Sequence, residues 1–287
     1  MTLRSRHLRH AGASSASSSR RSNLAARVAV AAIGIPAVLA VNYYGGVLFA
    51  AVVGLVALIA GLEFDRMMRV AGRRPVVLVV PLAVVAIAVW PQIHPHPFSG
   101  WVGIIILVTA LAGIYSLTPA AFRSALSTWE STIGGVIYLG LPLGFLTLIR
   151  GAPRGAWWVA IVLVITWAYD TGAYVTGRAF GRRPFMHHVS PSKTLEGVAG
   201  GMIASATAGL VVSFAVGVSP VLGLLVGLAG GAVAQTGDLV ESMFKRQSGV
   251  KNSGSIIPGH GGILDRIDSL MFVTVFMFYV MAALGRA

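Results

Sequence analysis

The sequence predicts an all-α, polytopic integral membrane protein with about nine transmembrane helices. Composition is the first reason: 56% of the 287 residues are hydrophobic and 11% charged, with a mean hydropathy of +0.80. Too few water-facing residues remain to coat a soluble body of that length. The second reason is arrangement, since the apolar residues fall in long runs separated by short charged clusters. The third is a charge asymmetry that emerges once those runs are drawn as spans.

Residues 1–23 are rich in Arg and Ser with almost nothing to bury, and read as a disordered basic cytoplasmic tail. The apolar run after Arg27 is too long for the core of a cleaved leader, so it is the first transmembrane helix rather than a signal peptide. Spans then follow at 24–42, 46–62, 75–90, 101–117, 131–149, 155–177, 198–216, 220–240 and 263–285. Each is about long enough to cross ~30 Å of hydrocarbon at 1.5 Å per residue. The 75–90 run is short, bounded by Pro75 and Pro91. N-terminal helices at 24–150 precede a region at 151–287 that holds the chemistry-bearing residues.

With the N-terminus in the cytoplasm, 19 of the 22 Lys and Arg face inward, and only Arg150, Arg154 and Arg286 face outward. That is the positive-inside pattern, and it calls for an odd number of spans. It also places the net charge of +13 against a membrane surface rather than a nucleic acid. The expected location is the inner (plasma) membrane, with the active side cytoplasmic. The acids Glu63, Asp65, Glu130, Asp170, Glu196, Asp238, Glu241, Asp265 and Asp268 all fall at or near that same face. The absence of cysteine excludes disulfides, thiolate metal sites and a cysteine nucleophile.

Residues 241–269 concentrate the chemistry: Lys245, Arg246 and Lys251, a glycine-rich turn around His260, then Asp265 and Asp268 beside Arg266. Cations, pliable backbone and paired acids suit a site handling phosphates and a divalent metal. Asp170 lies ~22 Å along the sixth span, in its cytoplasmic third, with Tyr174 one turn on along the same face. An acid at that depth is costly, which favours a functional role over simple helix bridging. Asp238 and Glu241 close the eighth span three residues apart, and Asp265 and Asp268 open the ninth with the same spacing. Four carboxylates at one depth repel unless a cation such as Mg²⁺ binds them. The plainer reading is helix-end solvation, with Glu241 paired to Lys245 at i+4.

The loop at 177–197 adds Arg178, Arg182, Arg183 and Lys193 with the hydroxyls Ser190, Ser192 and Thr194 just before a helix, which suits a polyphosphate. It is not a Walker A sequence. A loop whose cations only set topology explains the arginines but does not need the SPSKT cluster. Gly223, Gly227 and Gly231 read as close helix packing, a homodimer seam included, rather than as a ligand loop.

The segment Ser242 to Asp268 resembles the signature of the phosphatidate cytidylyltransferases (CDP-diacylglycerol synthases), S-x-x-K-R, K-D, then P-G-H-G-G-x-x-D-R-x-D. Ser242, Lys245, Arg246, Lys251, Pro258, Gly259, His260, Gly261, Gly262, Asp265, Arg266 and Asp268 match. Ser190, Pro191, Lys193, Thr194, Glu196 and Gly197 match the upstream S-P-x-K-T-x-E-G element, and Asp170 to Gly181 is similar as well. The resemblance is specific over about 170–269, and the first five spans are similar only in hydropathy. Asn252 stands where the family usually has Asp.

The resemblance implies transfer of CMP from CTP to phosphatidic acid, releasing pyrophosphate, with Mg²⁺ and a monovalent cation such as K⁺. The expected metal ligands are Asp238, Asp265 and Asp268. Ser190, Lys193 and Thr194, with Glu196, Asp170 and Tyr174, are the expected substrate-binding set. Lys245, Arg246, Lys251 and Arg266 would neutralise phosphate oxygens, and His260 would donate a hydrogen bond to a phosphate or orient a metal ligand. A related lipid transferase or CTP-dependent polyprenol kinase would use the same residue types. An ion-coupled transporter would instead place acids near the bilayer centre on paired broken helices.

Overall fold

The structure, a computed structural model, describes residues 32–94, 96–256 and 261–286. The expected tail at 1–23, the start of the first span and His260 lie outside the described residues. The described elements are helical: α1 (Ala32–Tyr44), α2 (Gly46–Val70), α3 (Val79–Ile93), α4 (Pro97–Ser116), α5 (Ala125–Gly135), α6 (Leu141–Gly151), α7 (Gly155–Phe180), α8 (Leu195–Val216), α9 (Pro220–Gln247) and α10 (Leu264–Ala283). A π turn at Val136–Gly140 joins α5 to α6, so Phe122–Gly151 forms one long apolar rod. Seven of these segments are long and apolar enough to cross a membrane, and α1 and α3 are shorter apolar helices.

Sequence-drawn spans and helices agree in order but not in length. α2, α7 and α9 run past the apolar limits 62, 177 and 240 to Val70, Phe180 and Gln247. Charge ends immersion in lipid, but it does not break backbone hydrogen bonding, so the rods continue into the interface. Gly72 (φ 76°) ends α2, and Gly217 (φ 68°) ends α8 in the left-handed region that favours glycine. Thr194 and Ser219 cap α8 and α9 through Gly197 N–H and Leu222 N–H, each at 3.2 Å.

The short third span shows how the lipid-exposed rods stay satisfied. α3 begins at Val79 rather than 75 and passes through Pro91 to Ile93. A proline at 91 cannot donate to the carbonyl of Ile87. The buried Trp101 indole donates there instead at 3.0 Å, and Gly144 leaves the space that ring occupies. Met67, Ile87, Leu139, Leu143, Ile165, Met271 and Met277 fill the fully buried centre. Ile106, Ile203, Phe214, Val221 and Leu225 stay exposed, the outward face expected of rods solvated by lipid.

The glycine series packs within the chain: a Cβ on Gly227 would lie 3.0 Å from the Cα atoms of Ala206 and Gly209 of α8. Small residues here let two backbones approach closely, as expected, at a seam of α8 against α9. The chain also has two polar ends. Arg154 and Arg286 donate to carbonyls at the end of α8, and Arg150 to those of Asn42 and Tyr43. The carboxylates gather at the opposite end.

Candidate active site

At that opposite end, α7, α8, α9 and α10 enclose a polar cavity of about 680 Å³. α7 contributes Asp170, Tyr174 and Arg178 along one face, and Arg178 donates to the Tyr174 hydroxyl at 2.9 Å. The floor is the buried Tyr169, whose hydroxyl donates to Gln235 of α9 at 2.6 Å. Asp170 is exposed to the cavity, and its charged neighbours are Asp238, Asp268, Lys193 and Arg266. Asp170, Asp238 and Asp265 therefore share one space although they come from three helices.

The loop before α8 is folded back on itself. Phe185 N–H donates to Lys193 O and Leu195 N–H to Arg183 O, both at 2.9 Å, around a bridge between Pro184 and Thr194. This fold carries Ser192, Lys193 and Thr194 over the cavity at the N-terminus of α8. Glu196 accepts the N–H groups of Arg182 and Arg183 at 3.0 and 3.2 Å, and so shapes the start of the loop rather than lining the cavity. Ser190 is also not in the lining.

α9 and α10 supply paired charges. Lys193 Nζ lies 2.5 Å from Asp238 Oδ2, and Ser242 donates to the other oxygen at 3.2 Å. Lys245 bridges two acids, pairing with the fully buried Glu241 one turn back and with Asp265 Oδ1 at 2.7 Å. Asp265 Oδ2 accepts the N–H groups of Gly262 (2.8 Å) and Ser253 (3.1 Å), so it ties down the chain leading into α10 as well as facing the cavity. Gly261 needs its φ of 83° here, and a Cβ on it would meet that same oxygen at 2.5 Å. Asp268, Arg266 and Asn252 complete the lining.

Of the predicted site residues, Asp170, Tyr174, Lys193, Thr194, Asp238, Lys245, Asp265, Arg266 and Asp268 line the cavity. Arg246, donating to Val189 O at 3.2 Å, and the exposed Lys251 stand outside it. His260 is not among the described residues. The sequence reading assigned no role to Tyr169, Gln235 or Glu63. Gln235 sits one turn before Asp238, a polar residue in an apolar run that marks it out in retrospect. Glu63 belongs to α2 and accepts hydrogen bonds from Ser253, Ile263 and Leu264, a contact across 190 residues or more that no local pattern announces.

Among the described residues no three or more His, Asp or Glu are close enough to form a metal cage. Mg²⁺ does not require one, since it is held by one or two carboxylates with water and substrate phosphates completing its shell. Hard oxygen donors of Asp170, Asp238 and Asp268 on a polar cavity fit that mode.

Known proteins are similar to this chain. A sequence model of the cytidylyltransferase family matches residues 25–284. The chain is 37% identical over 202 residues to a protein of Staphylococcus epidermidis named phosphatidate cytidylyltransferase, covering 68% of this chain and 77% of that protein. Proteins of the same name from Staphylococcus saprophyticus and Haemophilus influenzae are 44% and 46% identical over 140 and 138 residues. Those matches span about half of each relative, 53% and 48% of its length. A family match over nearly the whole chain, on a bundle whose acids and cations meet in one cavity, settles its kinship: the chain belongs to the cytidylyltransferase family.

Proposed function

We propose that this chain transfers CMP from CTP to phosphatidic acid, forming CDP-diacylglycerol and pyrophosphate at the cytoplasmic side of the plasma membrane. One observation carries the reading: acids from three helices and the cations Lys193, Lys245 and Arg266 open on a single cavity at one end of a membrane bundle. A phosphate oxygen of the lipid attacks the α-phosphorus of CTP. The bond from that phosphorus to the bridging oxygen breaks, and pyrophosphate leaves with the electron pair. The lipid phosphate is already ionised at neutral pH, so the protein needs no strong base. Its work is positioning and charge stabilisation.

Ser192, Lys193 and Thr194 suit the triphosphate, because the N-terminus of α8 adds the positive end of a helix dipole. Lys245 and Arg266 suit the oxygens that gain charge, with Arg246, Lys251 and Ser190 as outer contributors, and His260 donating a hydrogen bond to a phosphate. Mg²⁺ would be held by one or two of Asp238, Asp265 and Asp268, with substrate phosphates and water completing its shell, and would neutralise phosphate charge. Lys193 and Lys245 keep Asp238 and Asp265 compensated otherwise.

Radiolabelled CTP and phosphatidic acid mixed with the purified protein in detergent test the reading. A CMP-lipid product supports it. Transfer of the γ-phosphate instead, or no reaction together with ion flux in liposomes, overturns it. Titrating Mg²⁺ and K⁺ into the same assay tests each cation. The cysteine-free background allows single-cysteine labelling at Arg74 and Pro153 to test which face is cytoplasmic.

A further inference from the structure

α2 comes from the half of the chain whose sequence carries no motif, yet it delivers one carboxylate into the loop that precedes α10. Glu63 is 5% exposed. Its Oε1 accepts the N–H of Ile263 at 3.1 Å, and its Oε2 accepts the N–H of Leu264 at 2.9 Å and the hydroxyl of Ser253 at 3.0 Å. Among the described residues no Lys or Arg pairs with it. Among those residues the buried carboxylate is held by dipoles alone, at the N-terminus of a helix.

A cap alone does not require this arrangement, because a Ser, Thr, Asn or Asp next to the helix supplies one locally. Glu63 instead ties three points together. Ser253 gives its hydroxyl to Glu63 and its N–H to Asp265, so one residue joins the two carboxylates. Gly262 gives its N–H to Asp265 while its α-carbon has no room for a side chain against the Glu63 oxygens and Ser253 Oγ. Ile263 and Leu264 are the entry to α10, and Asp265 and Asp268 follow directly on that helix. Moving the Glu63 carboxylate therefore moves the first turn that presents both acids to the cavity.

We infer that Glu63 is a positioning residue for the cytidylyl transfer: it clamps the loop before α10 so that Asp265 and Asp268 face the cavity in register. The inference rests on the function proposed above, and its test separates the two. Glu63→Gln keeps the side-chain shape but loses the charge and, whichever way the amide faces, at least one of the three bonds. Ser253→Ala removes one bond from the other side without touching α2, which covers the case in which Glu63→Gln fails to fold.

In folded, monodisperse protein Glu63→Gln lowers kcat by about 10- to 100-fold, the cost of a small misplacement of reacting groups. KM for phosphatidic acid stays within about twofold, because the clamp presents the acids rather than the lipid. Amide hydrogen exchange over 261–266 accelerates in both variants. The double variant is no worse than Glu63→Gln alone, since the two side chains act as one device. The inference is overturned if folded Glu63→Gln retains kcat within about threefold of the parent. It is equally overturned if activity falls only in proportion to the loss of folded protein, or if the two substitutions add. Should the parent protein transfer no CMP, the proposed function fails, and the exchange measurement still decides whether Glu63 holds the loop.

Discussion

Lys245→Met isolates the buried charge network. Lys245 is the cation for two acids, the fully buried Glu241 and Asp265, whose side chains are 0% and 6% exposed against 14% for the lysine. Removing it does not harm the acids equally. Asp265 keeps the N–H groups of Gly262 and Ser253, whereas Glu241 has no other partner among the described residues. The penalty is therefore that of stranding one buried carboxylate, about 3–5 kcal/mol, rather than the net worth of an ion pair. For a chain of this length that lowers the melting temperature by roughly 6–20 °C. The assay is thermal unfolding in detergent, followed by a second variant in which Glu241→Gln removes the stranded charge. The double variant should recover most of the lost stability but not CMP transfer, because Asp265 still lacks its lysine. A single variant that melts within about 2 °C of the parent, or a double variant less stable than the single, refutes the reasoning.

Three other outcomes follow from the same contacts. Asp265→Asn should leave the fold intact and cut CMP transfer by about 100-fold or more, measured with labelled CTP at limiting Mg²⁺; near-normal transfer removes the metal role. Trp101→Phe orphans the carbonyl of Ile87 in a lipid-facing bundle, and should cost about 1–3 kcal/mol by thermal unfolding. Adding Pro91→Ala supplies the missing N–H and should recover that loss, so a double variant no better than the single contradicts the account of α3. Thr194→Val removes the cap on Gly197 N–H, costing about 1 kcal/mol, and should raise KM for CTP, while Thr194→Ser preserves both.

Much of the bundle was legible because lipid imposes a coarse constraint. A chain crossing hydrocarbon must present long apolar runs, and these mark where rods lie without reference to their neighbours. The limits of the rods were less legible, since α9 carries Asp238, Glu241, Lys245 and Arg246 as helix well past its apolar part. The i+4 partnership of Glu241 with Lys245 was readable from spacing. That Asp265 shares the same lysine was not, because it depends on how α9 and α10 close the loop between them.

Residue type and order alone determined that this chain lives in a membrane, keeps its acids at one end, and carries the cation, glycine and aspartate pattern of its family. These are properties of local composition and spacing, which do not need a partner segment to be defined. Tertiary structure alone decided which of those residues share a space. It set Glu196 to shaping a loop, put Tyr169 and Gln235 on the cavity floor, and brought Glu63 of α2 to the entry of α10. The physical reason is that a hydrogen bond acts over about 3 Å of space, however far apart its partners lie along the chain.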